Sequence, residues 1–161
     1  MQIEDMQQVT DFILTTEKHS HISIEHGSIE TSVPVRRNNR RNRSGAWIYG
    51  PDKKIEISYF IFDMPEEVQL AEIIHETCHF LCPTNIHHGP LFREKEIYWL
   101  SQFGLKPRFY KRAYYRCIET LNGNIIPTRN KEDYNIVAIQ AKLRIDAKTI
   151  KKRKHIERVE L

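Results

Sequence analysis

Cysteine is scarce in this chain of 161 residues: there are three, an odd number, and no disulfide framework is expected. Long apolar runs are missing too. None approaches the roughly 20 residues that a membrane-spanning helix needs, so no membrane partner is expected. The opening residues, Met1-Gln2-Ile3-Glu4-Asp5, are acidic and lack the apolar stretch of a secretory signal, which makes the cytoplasm the expected compartment. No internal repeat is evident. What is present fits a small enzyme: a hydrophobic content of 40% can supply one core, and the length matches one domain with an appended tail.

The most informative stretch is His75-Glu76-Thr77-Cys78-His79. It reads H-E-x-x-H, the pattern of a zinc metallopeptidase helix. Residues four apart lie on one helix face with side chains roughly 6 Å apart, so His75 and His79 can reach one metal ion together. Glu76 can project toward the same ion without binding it and act as general base for an activated water. Five residues are a modest signal, since short patterns occur by chance, but the context is helical. Asp63-Met64-Pro65-Glu66 has the form of a helix start, with a capping Asp, an early Pro and a Glu three residues after the cap. Val68, Ile73, Ile74, Thr77, Phe80 and Leu81 then recur at helical spacing, and Pro83 stops the run. Two ordinary helix histidines beside a solvated acid are the bland alternative. Cys78 and Cys82, four apart near the end of this helix, read as small buried side chains rather than ligands.

A catalytic zinc site needs three protein ligands and one open position. His87-His88-Gly89-Pro90 follows after a short loop, with Gly89 expected to allow a tight turn and Pro90 to open the next helix. His88 is one candidate third ligand. His87 and a downstream carboxylate, Glu94 or Glu96, are the others.

These residues resemble a known family. His75-Glu76-x-x-His79 followed by His88-Gly89-Pro90-Leu91-Phe92 is similar to the SprT-like metalloprotease domain, which includes Spartan and carries its third histidine in an H-G-P-x-F type of segment. The stretch Ser44 to Gly50 with Lys54 to Ser58 resembles the strand pair that leads to that family's active-site helix. The resemblance covers roughly residues 5 to 115. It implies a zincin-like fold, His88 rather than His87 as third ligand, one catalytic Zn²⁺ and a protein substrate. Many members continue into a zinc ribbon built on two Cys pairs. This chain has only Cys117 in that region, and Tyr114 to Cys117 with the Asn122-Gly123 turn read as a metal-free remnant.

Charge is unevenly placed. The net is +4, while residues 142 to 161 hold eight Lys or Arg, including Lys151, Lys152 and Arg153, against three acids. A second cluster is Arg36, Arg37, Arg40, Arg41 and Arg43. A third sets Lys106, Arg108, Lys111, Arg112 and Arg116 among Phe109, Tyr110, Tyr114 and Tyr115. Basic groups contact phosphates and aromatic faces stack on unpaired bases. A solvated tail, a solvated loop and core aromatics flanked by surface charge explain each cluster equally well. Beside a SprT-like core, the three together point to DNA as a partner.

The expected architecture is α+β. Residues 3 to 17 read as an amphipathic helix, 21 to 25, 45 to 49 and 54 to 61 as strands, 29 to 35 as a short extended piece, 64 to 82 as the motif helix, and 90 to 103 as a further helix ended by Gly104. Tyr114–Cys117 and Ile125-Ile126 flank a hairpin turn at Asn122-Gly123. With the resemblance this becomes a zincin-like domain over 1–115, with a small antiparallel or mixed sheet, and a ribbon-like hairpin with a basic tail over 116–161. Lys54 to Phe60 is the candidate edge strand against which an extended substrate would lie, and a buried central strand fits the sequence equally well. Tyr98, Tyr110 and Arg112 are guesses for the group that stabilises an oxyanion. The reaction expected is peptide-bond hydrolysis, with DNA-associated proteins as candidate substrates. The alternative is a zinc-binding regulatory or nucleic-acid-binding protein that keeps the site without proteolysis.

Overall fold

Helix α1 (Ile3–Thr16) forms where Met6, Thr10, Ile13 and Leu14 recur at three- and four-residue spacing and turn inward together. Asp5 closes its first turn by accepting the Gln2 amide at 2.8 Å. The computed structural model describes residues 1–27, 46–49, 54–82, 88–111 and 114–128, with 46–49, 60, 111 and 114 described by their backbone. The expected extended piece at 29–35, the Arg/Asn-rich segment, the turn at 50–52 and everything after Thr128 lie outside those residues.

Strand β1 (Ser23–His26) leaves α1 under the control of one side chain. Gln7 donates to the Ile22 carbonyl and accepts from the Ile24 amide, both at 2.8 Å, so it stands in for a neighbouring strand. β1 pairs in parallel with β3 (Lys54–Ile57), and β2 (Ala46–Tyr49) pairs antiparallel on the other side, giving the order β1-β3-β2. The sheet is mixed. β3 alternates, with Ile55 and Ile57 fully buried, as a half-buried strand should.

Two expectations are corrected here. Lys54 to Phe60 is not an edge strand: β3 is central, with both sides occupied, and among the described strands the edge beside it is β2. The strand also ends at Ile57. Tyr59–Asp63 winds into a 3₁₀ turn, with Ile61 and Met64 amides donating to Ser58 and Ile61 carbonyls, and this drives Ile61 into the core. Asp63 therefore caps nothing. Pro65 occupies the N-cap of α2 (Glu66–Leu81), and the Gln69 amide reaches back to the Met64 carbonyl at 2.8 Å.

Helix α2 is the spine of the molecule. Val68, Ala71, Ile74, Cys78 and Cys82 face one buried cluster with Phe92, Trp99, Leu100, Leu105 and Ile118. Ile73 faces a second cluster with Met6, Leu14, Ile22, Ile24, Ile55, Ile57 and Ile61 beneath the mixed sheet. All three cysteines are free and buried, the two in α2 as expected. Thr10 of α1 and Thr77 of α2 share a buried 2.9 Å hydrogen bond that fixes the helix pair in register.

Helix α3 (Pro90–Gln102) opens with Pro90 in its first turn, where the missing N–H costs nothing. Gly89 before it is extended, φ −74°, so the tight glycine turn expected there does not form. The chain then turns at Gly104, φ +74°, into β4 (Leu105–Lys111), a strand absent from the sequence reading. β4, β5 (Tyr114–Thr120) and β6 (Ile125–Pro127) form an antiparallel meander, with the β5–β6 hairpin turning at Asn122-Gly123 as expected. β5 runs through residues 115 and 116, and its Ile118 belongs to the same core as α2 and α3. The architecture is thus α+β: three α-helices and two small sheets among the described residues. Among them no helix is long and apolar enough to cross a membrane.

Candidate metal centre

His75 and His79 lie one turn apart on α2, with ring centroids 5.0 Å apart. The chain returns after α2 so that His88, two residues before α3, stands 4.8 Å from each of them by ring centroid. The three rings form a nearly equilateral triangle. Their ligand atoms all lie within 4.8 Å of one another, and this is the only such group of three among the described residues. Phe92, one turn into α3, forms the apolar floor, with its ring 4.4 to 5.1 Å from the three imidazoles. That contact gives the H-G-P-x-F segment its physical sense: Pro90 starts the helix, and the helix delivers Phe92 under the histidines.

Nε2 of His75 is 3.0 Å from Nε2 of His88. Two imidazole nitrogens held 2.0–2.1 Å from a tetrahedral ion stand about 3.3 Å apart, so only a small adjustment separates this pair from a coordinating geometry. The donor set is all nitrogen, which suits zinc and several other divalent transition ions. These three histidines could hold a metal ion.

On the far side of the His75 ring, Nδ1 is hydrogen-bonded to Oε2 of Glu96. Burial acts to lower the His75 pKa, but the Glu96 charge and hydrogen bond, with Glu76 and Glu72 adding, carry it up to about 10. His79 goes the other way, down to about 3, through burial and then the charges of His75 and His88. Of these two histidines, His75 is the one that holds a proton and its charge. Glu76 is 8% exposed and lies outside the ligand triangle. Burial raises its carboxyl to about 8, with His75 opposing and Glu72 and Glu96 adding.

The other residues singled out in the sequence are dispersed. Glu94 faces solvent on α3, and Glu96 approaches the wrong nitrogen of His75 to share a metal with it. Tyr98 is exposed and packs edge-on against Trp99. Tyr110 has a buried hydroxyl without a hydrogen-bond partner and carries the Arg93 guanidinium over its ring at 4.9 Å. Burial, then the Glu96 charge, holds its hydroxyl pKa well above the usual value. Arg108 is ion-paired to Glu119 across the β4–β5 ladder, through Nε at 2.5 Å. Lys111 ends β4, and its side chain is outside the described residues, as are His87, Arg36, Arg37, Arg40, Arg41, Arg112, Lys151, Lys152 and Arg153.

Sequence reasoning weighed Glu96 as a ligand and missed its contact with His75. A signal was present. Phe92, Glu96, Trp99 and Phe103 are spaced as one helix face, so an acid falls in the middle of an apolar stripe and needs a partner. No family model, curated protein or solved structure matches the chain, and the site is read from its own geometry.

Proposed function

We propose that the protein is a zinc metallopeptidase with a zincin-like, SprT-like core. One observation carries the reading: three imidazoles, two on α2 and one just before α3, converge on one point, with the buried Glu76 following the first of them in the helix. His75, His79 and His88 would hold the ion through neutral ring nitrogens. A zinc ion held there would supply a water of lowered pKa and a Lewis acid for the scissile carbonyl. The Glu76 carboxylate takes one proton from the attacking water as its oxygen bonds to the carbonyl carbon. It then gives that proton to the amine nitrogen as the C–N bond breaks. Phe92 packs an apolar ring against all three imidazoles, and low-dielectric surroundings strengthen electrostatic interactions at the site.

The substrate in this reading is a protein segment in extended form, laid along the outer edge of β2. The basic clusters at Arg36 to Arg43 and over residues 142–161 support proteins held on or near DNA as the substrate class. Binding of single-stranded DNA that weakens as salt is raised would agree with this, and salt-independent binding would remove it.

The test is metal content by elemental analysis together with digestion of an unfolded protein such as casein. The parent should carry about one zinc per chain and cleave. Glu76→Gln should keep its zinc and lose turnover by at least about 10²-fold. His88→Ala should lose both. A parent without zinc after zinc is offered, or a Glu76→Gln variant that cleaves normally, would overturn the proposal. Zinc and DNA binding without proteolysis would favour a regulatory or nucleic-acid-binding protein that keeps the site.

A further inference from the structure

Glu96 is 1% exposed, in a helix face otherwise made of Phe92, Trp99 and Leu100. A carboxylate taken out of water costs several kcal/mol unless it is paired and hydrogen-bonded. Its partner is Nδ1 of His75. A carboxylate only accepts, so the Nδ1–H donates, and Nδ1 is the nitrogen that keeps its proton. The other nitrogen, Nε2, faces His88 Nε2 at 3.0 Å, on the side where the three ligand atoms meet.

We propose that Glu96 is a positioning residue for the metal centre, holding His75 in the ring orientation and tautomer that present Nε2 to the ion. The inference rests on the reading of the three histidines as a metal site and deepens it. Helix α3 then serves the centre twice, bringing His88 at its entrance and Glu96 two turns later. Its own placement is secured from outside the site. Glu17, at the C-cap of α1, accepts from Lys95 at 2.8 Å and from Trp99 Nε1 at 3.0 Å, on either side of Glu96 in the helix. The first ligand is thus oriented by the same element that supplies the third, and a carboxylate on Nδ1 makes the imidazole a better donor at Nε2.

Two substitutions separate charge from hydrogen bonding. Glu96→Gln keeps shape and an acceptor oxygen but loses the charge, and Glu96→Leu loses both. Zinc affinity is read by competition with a chromophoric chelator, and the fold by circular dichroism and thermal melting of the metal-free proteins. Cobalt(II) absorption reports the coordination geometry. The expected result is a loss of zinc affinity of about tenfold for Glu96→Gln and up to about a hundredfold for Glu96→Leu, with an altered cobalt spectrum. The near-isosteric Gln variant should still give the parent's circular dichroism spectrum, so that its loss is not one of folding. If the parent binds zinc and His88→Ala does not, while both Glu96 variants bind as tightly as the parent, the positioning role is overturned and the metal centre stands. If the parent itself binds no zinc, both fall.

Discussion

The Nε2 atoms of His75 and His88 stand 3.0 Å apart although 13 residues separate them in the chain. In the metal-free protein that contact is a hydrogen bond, and a proton has to lie between the two nitrogens. The charge of the site says where it comes from: His75 is carried up to about 10, chiefly by Glu96 acting against burial, whereas His79 is pushed down to about 3. A metal ion must displace the proton on His75 Nε2 but none on His79. Zinc affinity is therefore expected to rise about tenfold per pH unit from about pH 6 to 8 and to level off only above the raised His75 value. Isothermal titration in buffers of different ionisation enthalpy should read proton release on zinc binding near neutral pH. A pH-independent affinity would contradict the assignment of that charge to His75.

Glu17 ties α1 to α3, and its loss should be felt in stability. Its carboxylate accepts from Lys95 and Trp99, and these partners, Lys95 first, hold its pKa below the usual glutamate value against the opposing effect of burial. A group with a lowered folded pKa stabilises above its unfolded pKa and loses that contribution as pH falls through the folded value. Glu17→Gln should cost about 1 kcal/mol at pH 7, since the pair is partly exposed. The gap between parent and variant in urea melts should narrow as the pH is taken below about 4.5. A gap that stays constant to pH 3 would mean that packing, not charge, holds this joint.

How much of this was legible beforehand differs by element. The H-E-x-x-H helix and the helix opened by Pro90 were readable because hydrophobic spacing and a proline act locally. So was the meeting of His88 with His75 and His79, through a short connection and the resemblance of the H-G-P-x-F segment. Tyr59–Asp63 continues an apolar run that reads as strand, yet the chain must bend there to lay α2 across the sheet, and local propensity gives way to that packing. Whether β3 is central or at an edge depends on which strands join it, which no single segment encodes. β4 was hidden because Lys106 to Lys111 mixes basic and aromatic groups around a proline, with no alternation of apolar residues. Their charge suggested a surface for nucleic acid, while the fold pairs Arg108 with Glu119 and buries the Tyr110 hydroxyl.

Thr77 lies between the two histidines of the motif but faces the other way. Its hydroxyl donates to the Ile73 carbonyl at 2.7 Å, so in the 2.9 Å contact with Thr10 it must be the acceptor and Thr10 the donor. Thr77→Val then strands the Thr10 hydroxyl in the core, which should cost about 1–3 kcal/mol. Replacing both by Val removes the stranded donor and should recover part of that loss. The check is a double-mutant cycle by denaturant melting, and strictly additive losses would show that the two hydroxyls do not depend on each other.

Gly104 and Gly123 both sit in left-handed backbone, at φ +74° and +80°, and so offer a paired test of strain against contact. A Cβ on Gly104 would come within 2.9 Å of Leu121 Cδ1, whereas one on Gly123 would meet nothing within 4 Å. The Leu121 side chain is 88% exposed and can swing away at little cost. Backbone strain should thus dominate at both sites, and Gly104→Ala and Gly123→Ala should each cost about 1–2 kcal/mol. Thermal melts of the two variants should nearly coincide. If Gly104→Ala is much the worse and Leu121→Ala restores it, then Leu121 is held against the end of α3 more firmly than its exposure implies, and the turn into β4 depends on that contact.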